Sequence, residues 1–158
     1  MKSFKLIPVG AALALFLAAS ASAYAVTVSP AGPISLTGST TLTKSGIAIS
    51  CTATMAGSVT AAGGISITSA KFTGNSLCSL VTPTSLPWSG QVSSTTSLSL
   101  SGVAVDTALG NCGPSTVSAS ITENSTLKET IIGLSNQSLS GGCTVSGSLT
   151  TTPYLTIK

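Results

Sequence analysis

The sequence predicts an all-β fold: a single Greek-key-like β-sandwich, or a flattened barrel, of short antiparallel strands held by two disulfides. Three observations carry that prediction. Apolar and hydroxyl residues alternate with period two along most of the chain, as in strands with one face buried. Gly and Pro punctuate the alternation at intervals of roughly ten residues, the spacing of short strands joined by turns. Four cysteines, Cys51, Cys78, Cys112 and Cys143, follow an N-terminal segment that reads as an export signal.

That segment comes first in the chain. Met-Lys-Ser-Phe-Lys is a short positive start, Leu6 to Ala19 is apolar, and Ala21-Ser-Ala23 supplies small residues for cleavage after Ala23. Ala23-Tyr-Ala25 permits cleavage after Ala25 instead. The apolar run is shorter than the ~20 residues a spanning helix needs. No later stretch is apolar enough to span, and no Cys follows the cleavage region to carry a lipid anchor. The expected organisation is a signal peptide over 1–23 and one secreted all-β domain over 24–158, located outside the cell.

The mature part then reads as successive strands. Val26 and Val28 alternate with Thr27 and Ser29, and the pattern continues through Ile34-Ser-Leu36 and Thr41-Leu-Thr43. Ile47 to Cys51 and Ile65 to Thr68 follow, then Leu98 to Leu100, Val103 to Val105 and Val117 to Ile121. Val145 to Leu149 and Tyr154 to Ile157 close the series. Pro30 to Pro33, Gly57, Gly63-Gly64, Gly74-Asn75, Pro83 to Pro87, Gly102, Gly110 to Pro114 and Gly141-Gly142 are the expected turns. Glu123 to Gly133 could wind one short helical turn, although Thr130-Ile-Ile favours a strand at its end.

In an oxidising compartment the four cysteines imply two disulfides, with three possible pairings. Cys51–Cys78 and Cys112–Cys143 are favoured, because each closes one half of the chain. Their loops of 27 and 31 residues are worth about 3–4 kcal/mol each by chain entropy. A zinc site would show closely spaced cysteine pairs, and there are none.

Composition excludes several functions. From residue 24 onward, 50 of 135 residues are Ser or Thr, and the net side-chain charge is +1. There is no Arg and no His. The basic footprint of a nucleic-acid binder is therefore missing, as are Ser-His-Asp and Cys-His catalysis and His-ligated metals. Asp106, Glu123 and Glu129 are the only carboxylates, with nothing to mark a glycosidase pair or a calcium site. Ser125 to Lys128 matches S-x-x-K, but its partner motifs are missing. Asn124 and Asn136 stand in sequons that such a Ser/Thr-rich chain produces by chance. Lys44 reads as a turn or edge-strand lysine, and Trp88 as a core plug beneath its proline-stiffened loop. No catalytic, metal or cofactor residue is assigned, and the chain is read as non-enzymatic.

Thr41 to Thr54, Ile67 to Phe72, Cys78 with Leu86-Pro-Trp88, Cys112-Gly-Pro114 and above all Cys143 to Pro153 resemble the secreted bacterial alkane oxidation protein activators of the PraA/PraB type. The resemblance runs over essentially the whole chain. It implies a secreted factor that aids growth on long-chain alkanes without oxidising them, in a family also associated with biofilm and extracellular matrix. Two modes of action fit. The protein could meet hydrocarbon or the cell surface at an oil–water interface, through loops such as 80–88. Alternatively it could self-associate as a fibre or matrix subunit, lending Val26-Thr-Val28 to a neighbour's sheet edge.

Overall fold

A computed structural model describes residues 25–158. The expected signal peptide lies outside the described residues.

Eight strands form the wall of one closed antiparallel barrel. They are β2 (Gly32–Lys44), β3 (Ile47–Val59), β4 (Gly64–Gly74), β6 (Trp88–Ser94), β7 (Ser97–Thr107), β8 (Gly110–Asn124), β9 (Glu129–Leu139) and β10 (Cys143–Thr152). Each pairs with the next in sequence, and β10 returns to β2, with Cys143 opposite Lys44 and Thr152 opposite Ser35. The barrel is therefore up-and-down. This corrects the Greek-key sandwich and leaves the barrel alternative. A Greek key needs a long connection that carries a strand past its neighbours, and here every wall strand lies beside its sequence neighbours. The strands are also longer than expected: seven of the eight run 10 to 15 residues.

The chemistry of each strand follows the alternation. On β3 the inward positions Cys51, Ala53 and Met55 are buried, and the outward Ser50, Thr52 and Thr54 are exposed. The tight turn between β2 and β3 uses Ser45 and Gly46, both at positive φ (50° and 78°). Two such residues in succession give the turn whose twist matches a hairpin.

The two ends of the barrel differ. At one end, β1 (Val28–Ser29) pairs with β11 (Thr156–Ile157) to form a small clasp. Thr27 and Lys158 exchange backbone hydrogen bonds of 2.8 and 2.9 Å, and the Val28 N–H donates to Ala61. Val28, Leu155 and Ile157 are buried there and join the core. At the other end lie the β2–β3, β7–β8 and β9–β10 turns, both disulfides, and a longer excursion between β4 and β6. That excursion holds a single 3-10 turn, Cys78–Leu80, and the short β5 (Thr82–Thr84), which pairs only with β7. There is no α-helix among the described residues. The helical turn considered near 123–133 is instead the hairpin turn at 125–128, followed by β9.

Candidate functional site

The barrel interior is the most distinctive feature. All eight wall strands contribute to it, from Leu42 on β2 to Leu149 on β10. It encloses a cavity of about 90 Å³ lined by apolar side chains, with Thr40 the single hydroxyl. That hydroxyl points to a backbone partner, the Cys51 carbonyl at 3.4 Å. No buried side-chain N or O atom among the described residues lacks a hydrogen bond. The cavity therefore offers nothing for a polar ligand to hold, and an apolar cavity of this kind stays dry.

Trp88 helps line this space. It is 1% exposed and its indole N–H donates to the Thr84 carbonyl at 2.8 Å, so it is a core plug, as its loop suggests. The hydrogen bond satisfies the polar edge of the ring while the rest packs inward.

The wall is incomplete on one side. β4 pairs with β6 only through Gly64 to Ile67. Beyond that point the chain leaves for the 75–87 excursion, so the second half of β4 has no strand partner on that side. A cleft of about 420 Å³ lies between β4 and the 3-10–β5 segment, lined by residues such as Ala70, Lys71, Asn75 and Pro83. Phe72 and Val81 line both the cleft and the interior cavity.

The other singled-out residues have structural partners. The structure joins Cys51 to Cys78 and Cys112 to Cys143, with Cα atoms 5.7 and 5.8 Å apart, and no cysteine is free. The first pair pins the excursion to β3, and the second ties β8 to β10. The Lys44 ammonium donates to the carbonyls of Asn111 (2.7 Å) and Gly141 (3.1 Å), so it binds two neighbouring turns together. It adjoins a turn, but β2 has a partner on each side and is no edge strand.

The three carboxylates do not converge. Asp106 lies at the disulfide end, and Glu123 and Glu129 lie at the clasp end. Glu123 accepts from the Ile157 N–H (2.7 Å) and the Tyr154 hydroxyl (3.3 Å), which holds the C-terminal segment. Lys128 sits at φ 55° in the hairpin turn, its ammonium 5.5 Å from the Tyr154 ring centre. The S-x-x-K match is thus a turn. The sequon residues are turn and bulge elements: Asn124 accepts from the Leu127 N–H, and Asn136 exchanges hydrogen bonds with the Ser146 hydroxyl. Among the described residues no three His, Cys, Asp or Glu side chains gather as a metal site.

Exposed large apolar residues are few. Ile47, Leu77 and Leu80 stand at the disulfide end, and Leu127 at the clasp end. The segment 80–88 contributes Leu80 to that surface, but Trp88 is buried. Val28, considered as part of a donated strand, is 3% exposed and already paired with Ile157. The sequence did not signal the inward threonines. Thr130 is fully buried: its hydroxyl donates to the Leu155 carbonyl (2.7 Å) and accepts from the Leu155 N–H (2.9 Å).

Taken together, the features define a disulfide-braced up-and-down β-barrel with an apolar interior. The family of PraA/PraB-like alkane oxidation protein activators matches residues 1–158, and the chain belongs to it. No curated protein and no solved structure matches the chain.

Proposed function

We propose that this chain is a secreted, non-enzymatic protein that aids growth on long-chain alkanes, acting at the cell surface or the oil–water interface. Family membership across the whole chain carries the reading. Two disulfides support an oxidising location, and the Lys-started apolar stretch with Ala21-Ser-Ala23 supports export through a signal peptide over 1–23. The domain that works outside the cell is 24–158. No helix among the described residues is long and apolar enough to cross a membrane. A spanning barrel would need an outward apolar belt, whereas the outward positions of β3 are Ser50, Thr52 and Thr54. The partner is hydrocarbon or the hydrocarbon-coated cell surface, met through the Ile47, Leu77 and Leu80 end.

The test uses a strain deleted for the protein and grown on a long-chain alkane or on glucose. Growth should slow on the alkane alone, and purified residues 24–158 added to the medium should restore it. The supernatant of the parent strain should contain a chain beginning at Tyr24 or Val26. Failure of the added protein to restore growth would remove the extracellular role.

A second reading, self-association into extracellular fibres, draws support from the unpaired half of β4, which leaves backbone donors and acceptors open to strand addition. Electron microscopy of antibody-labelled supernatant separates the two. Fibres labelled along their length favour the matrix reading, and dispersed particles the soluble one.

A further inference from the structure

We infer that the barrel interior is a binding site for the tail of an unbranched alkyl chain, reached sideways through the cleft between β4 and β5.

The chemistry of the cavity selects the ligand class. A cavity with one internally engaged hydroxyl holds only an apolar group. Its size selects the shape. About 90 Å³ is smaller than the ~150 Å³ apolar cavity that accepts benzene. That size favours the slim end of a linear chain over a ring.

The route follows from the topology. The clasp end is plugged by Val28, Leu155 and Ile157. The other end is crossed by turns that Lys44 and the disulfides tie down. The side wall is open where β4 loses its strand partner after Ile67. There the outer cleft and the cavity share Phe72 and Val81 as lining, so these two side chains form the partition. Val81 is buried and Phe72 half-buried. The inferred path opens by displacement of the Phe72 ring, a side-chain motion that breaks no wall hydrogen bond.

The cleft matches the rest of an amphiphile. Ala70, Phe72, Val81 and Pro83 give it an apolar wall, and Lys71 stands exposed on its rim among Asn75, Ser79 and Thr82. A fatty carboxylate would seat its tail inside the barrel and its head beside Lys71. The inference stands on this geometry and gives the proposed function a molecular ligand, the chemistry that alkane oxidation itself produces.

Trp88 supplies the readout, because it is the only Trp in the chain and lines the cavity. The purified chain 24–158 is titrated with ω-bromododecanoate, below its aggregation threshold, and Trp88 emission is followed. Bromine quenches at contact, so a seated tail should lower emission severalfold. Unbrominated dodecanoate should leave the intensity unchanged, and α-bromododecanoate, with bromine at the head, should quench little. Ala119→Leu adds three carbons to the cavity lining and should abolish the quench. Phe72→Ala removes the partition and should speed its onset. No quench of the wild-type chain, or an undiminished quench in Ala119→Leu, overturns the interior site. An unchanged onset in Phe72→Ala overturns the lateral route. Should Ala119→Leu fail to fold, the wild-type and Phe72→Ala measurements decide alone. A chain that shows no quench yet restores growth on alkane sinks this inference and leaves the extracellular role standing.

Discussion

Thr130 shows how a single hydroxyl closes this barrel. It lies near the clasp end of β9, fully buried, and both its donor and its acceptor capacity are used by the backbone of Leu155. Thr130→Val keeps the shape and removes both bonds, leaving a buried N–H and C=O without partners. Such orphans cost about 1–3 kcal/mol. Denaturant unfolding should show that loss as a lower midpoint with an unchanged slope. Thr116→Val is the control: its hydroxyl meets only the exposed Ser101 hydroxyl, so its stability should stay within about 0.5 kcal/mol of wild type. Equal effects of the two changes would refute the clamp. Residues of this kind were illegible in the sequence for a physical reason. The alternation rule assigns apolar side chains inward and hydroxyls outward, and half of a Thr side chain is a methyl that packs either way. Thr40, Thr130 and Thr151 all turn inward and satisfy their hydroxyls on nearby carbonyls. Trp88 was legible because its size and its flanking prolines leave few exposed positions where it could rest.

At the scale of the element, the glycines separate two roles that look alike in sequence. Ser45-Gly46 makes a turn, as its position between two alternating runs implies. Gly57, Gly102 and Gly113 also read as turns, yet they lie inside β3, β7 and β8. The register of β3 against β4 shifts at Ala56/Gly57, and β7 against β8 shifts on either side of Val103. They are bends that let a long strand curl around a barrel, and in sequence such a bend looks the same as a strand end. Gly38 on β2 illustrates the constraint: a Cβ there would run into the Ser148 carbonyl on β10, across the seam that closes the barrel. Gly38→Ala should therefore cost about 1–3 kcal/mol, the usual penalty of overpacking. Gly46→Ala differs in mechanism, because nothing lies within 4 Å and only its φ of 78° resists a side chain. It should slacken the turn without opening the seam. Amide exchange distinguishes the two, with Gly38→Ala exposing the β2–β10 amides and Gly46→Ala only those beside the turn. The disulfides belong to this scale as well. Replacing Cys112 and Cys143 together by Ser should cost about 2–4 kcal/mol. Protection should fall first at the β7–β8 and β9–β10 turns, where Lys44 and the Gly113–Ser140 backbone hydrogen bond would remain as ties.

The whole molecule combines a nearly uncharged hydroxyl surface with three of its four exposed large apolar residues at one end. The chain carries too little charge to keep copies apart by repulsion, and barrel closure compensates by removing most strand edges. Closure itself could not be read from the sequence, since it rests on β2 meeting β10 across roughly a hundred residues of chain, and alternation is blind to such distant pairing. What alternation did give was the all-β class and the positions of most strands. The arrangement makes a definite prediction about interfaces. Ile47, Leu77 and Leu80 are 46%, 39% and 51% exposed and all lie at the disulfide end, while the walls are covered by Ser and Thr. A molecule with one apolar end should adsorb to oil end-on, with the barrel standing into the water. Each side chain fully buried in oil contributes about 1.5–3 kcal/mol, and these are already half-covered, so the three together add a few kcal/mol. That is enough to concentrate the protein at a droplet surface by orders of magnitude. None of Ile47, Leu77 and Leu80 belongs to the core, so their triple substitution by Ser should leave the unfolding midpoint nearly unchanged. In a pendant-drop measurement against hexadecane, the wild-type chain should lower interfacial tension at a far lower concentration than the triple variant. Leu127→Ser, at the clasp end, should behave as wild type. If the triple variant adsorbs as well as wild type while Leu127→Ser does not, the oil-facing end is the clasp end. If all three adsorb alike, unfolding at the surface rather than a pre-formed apolar end drives the adsorption.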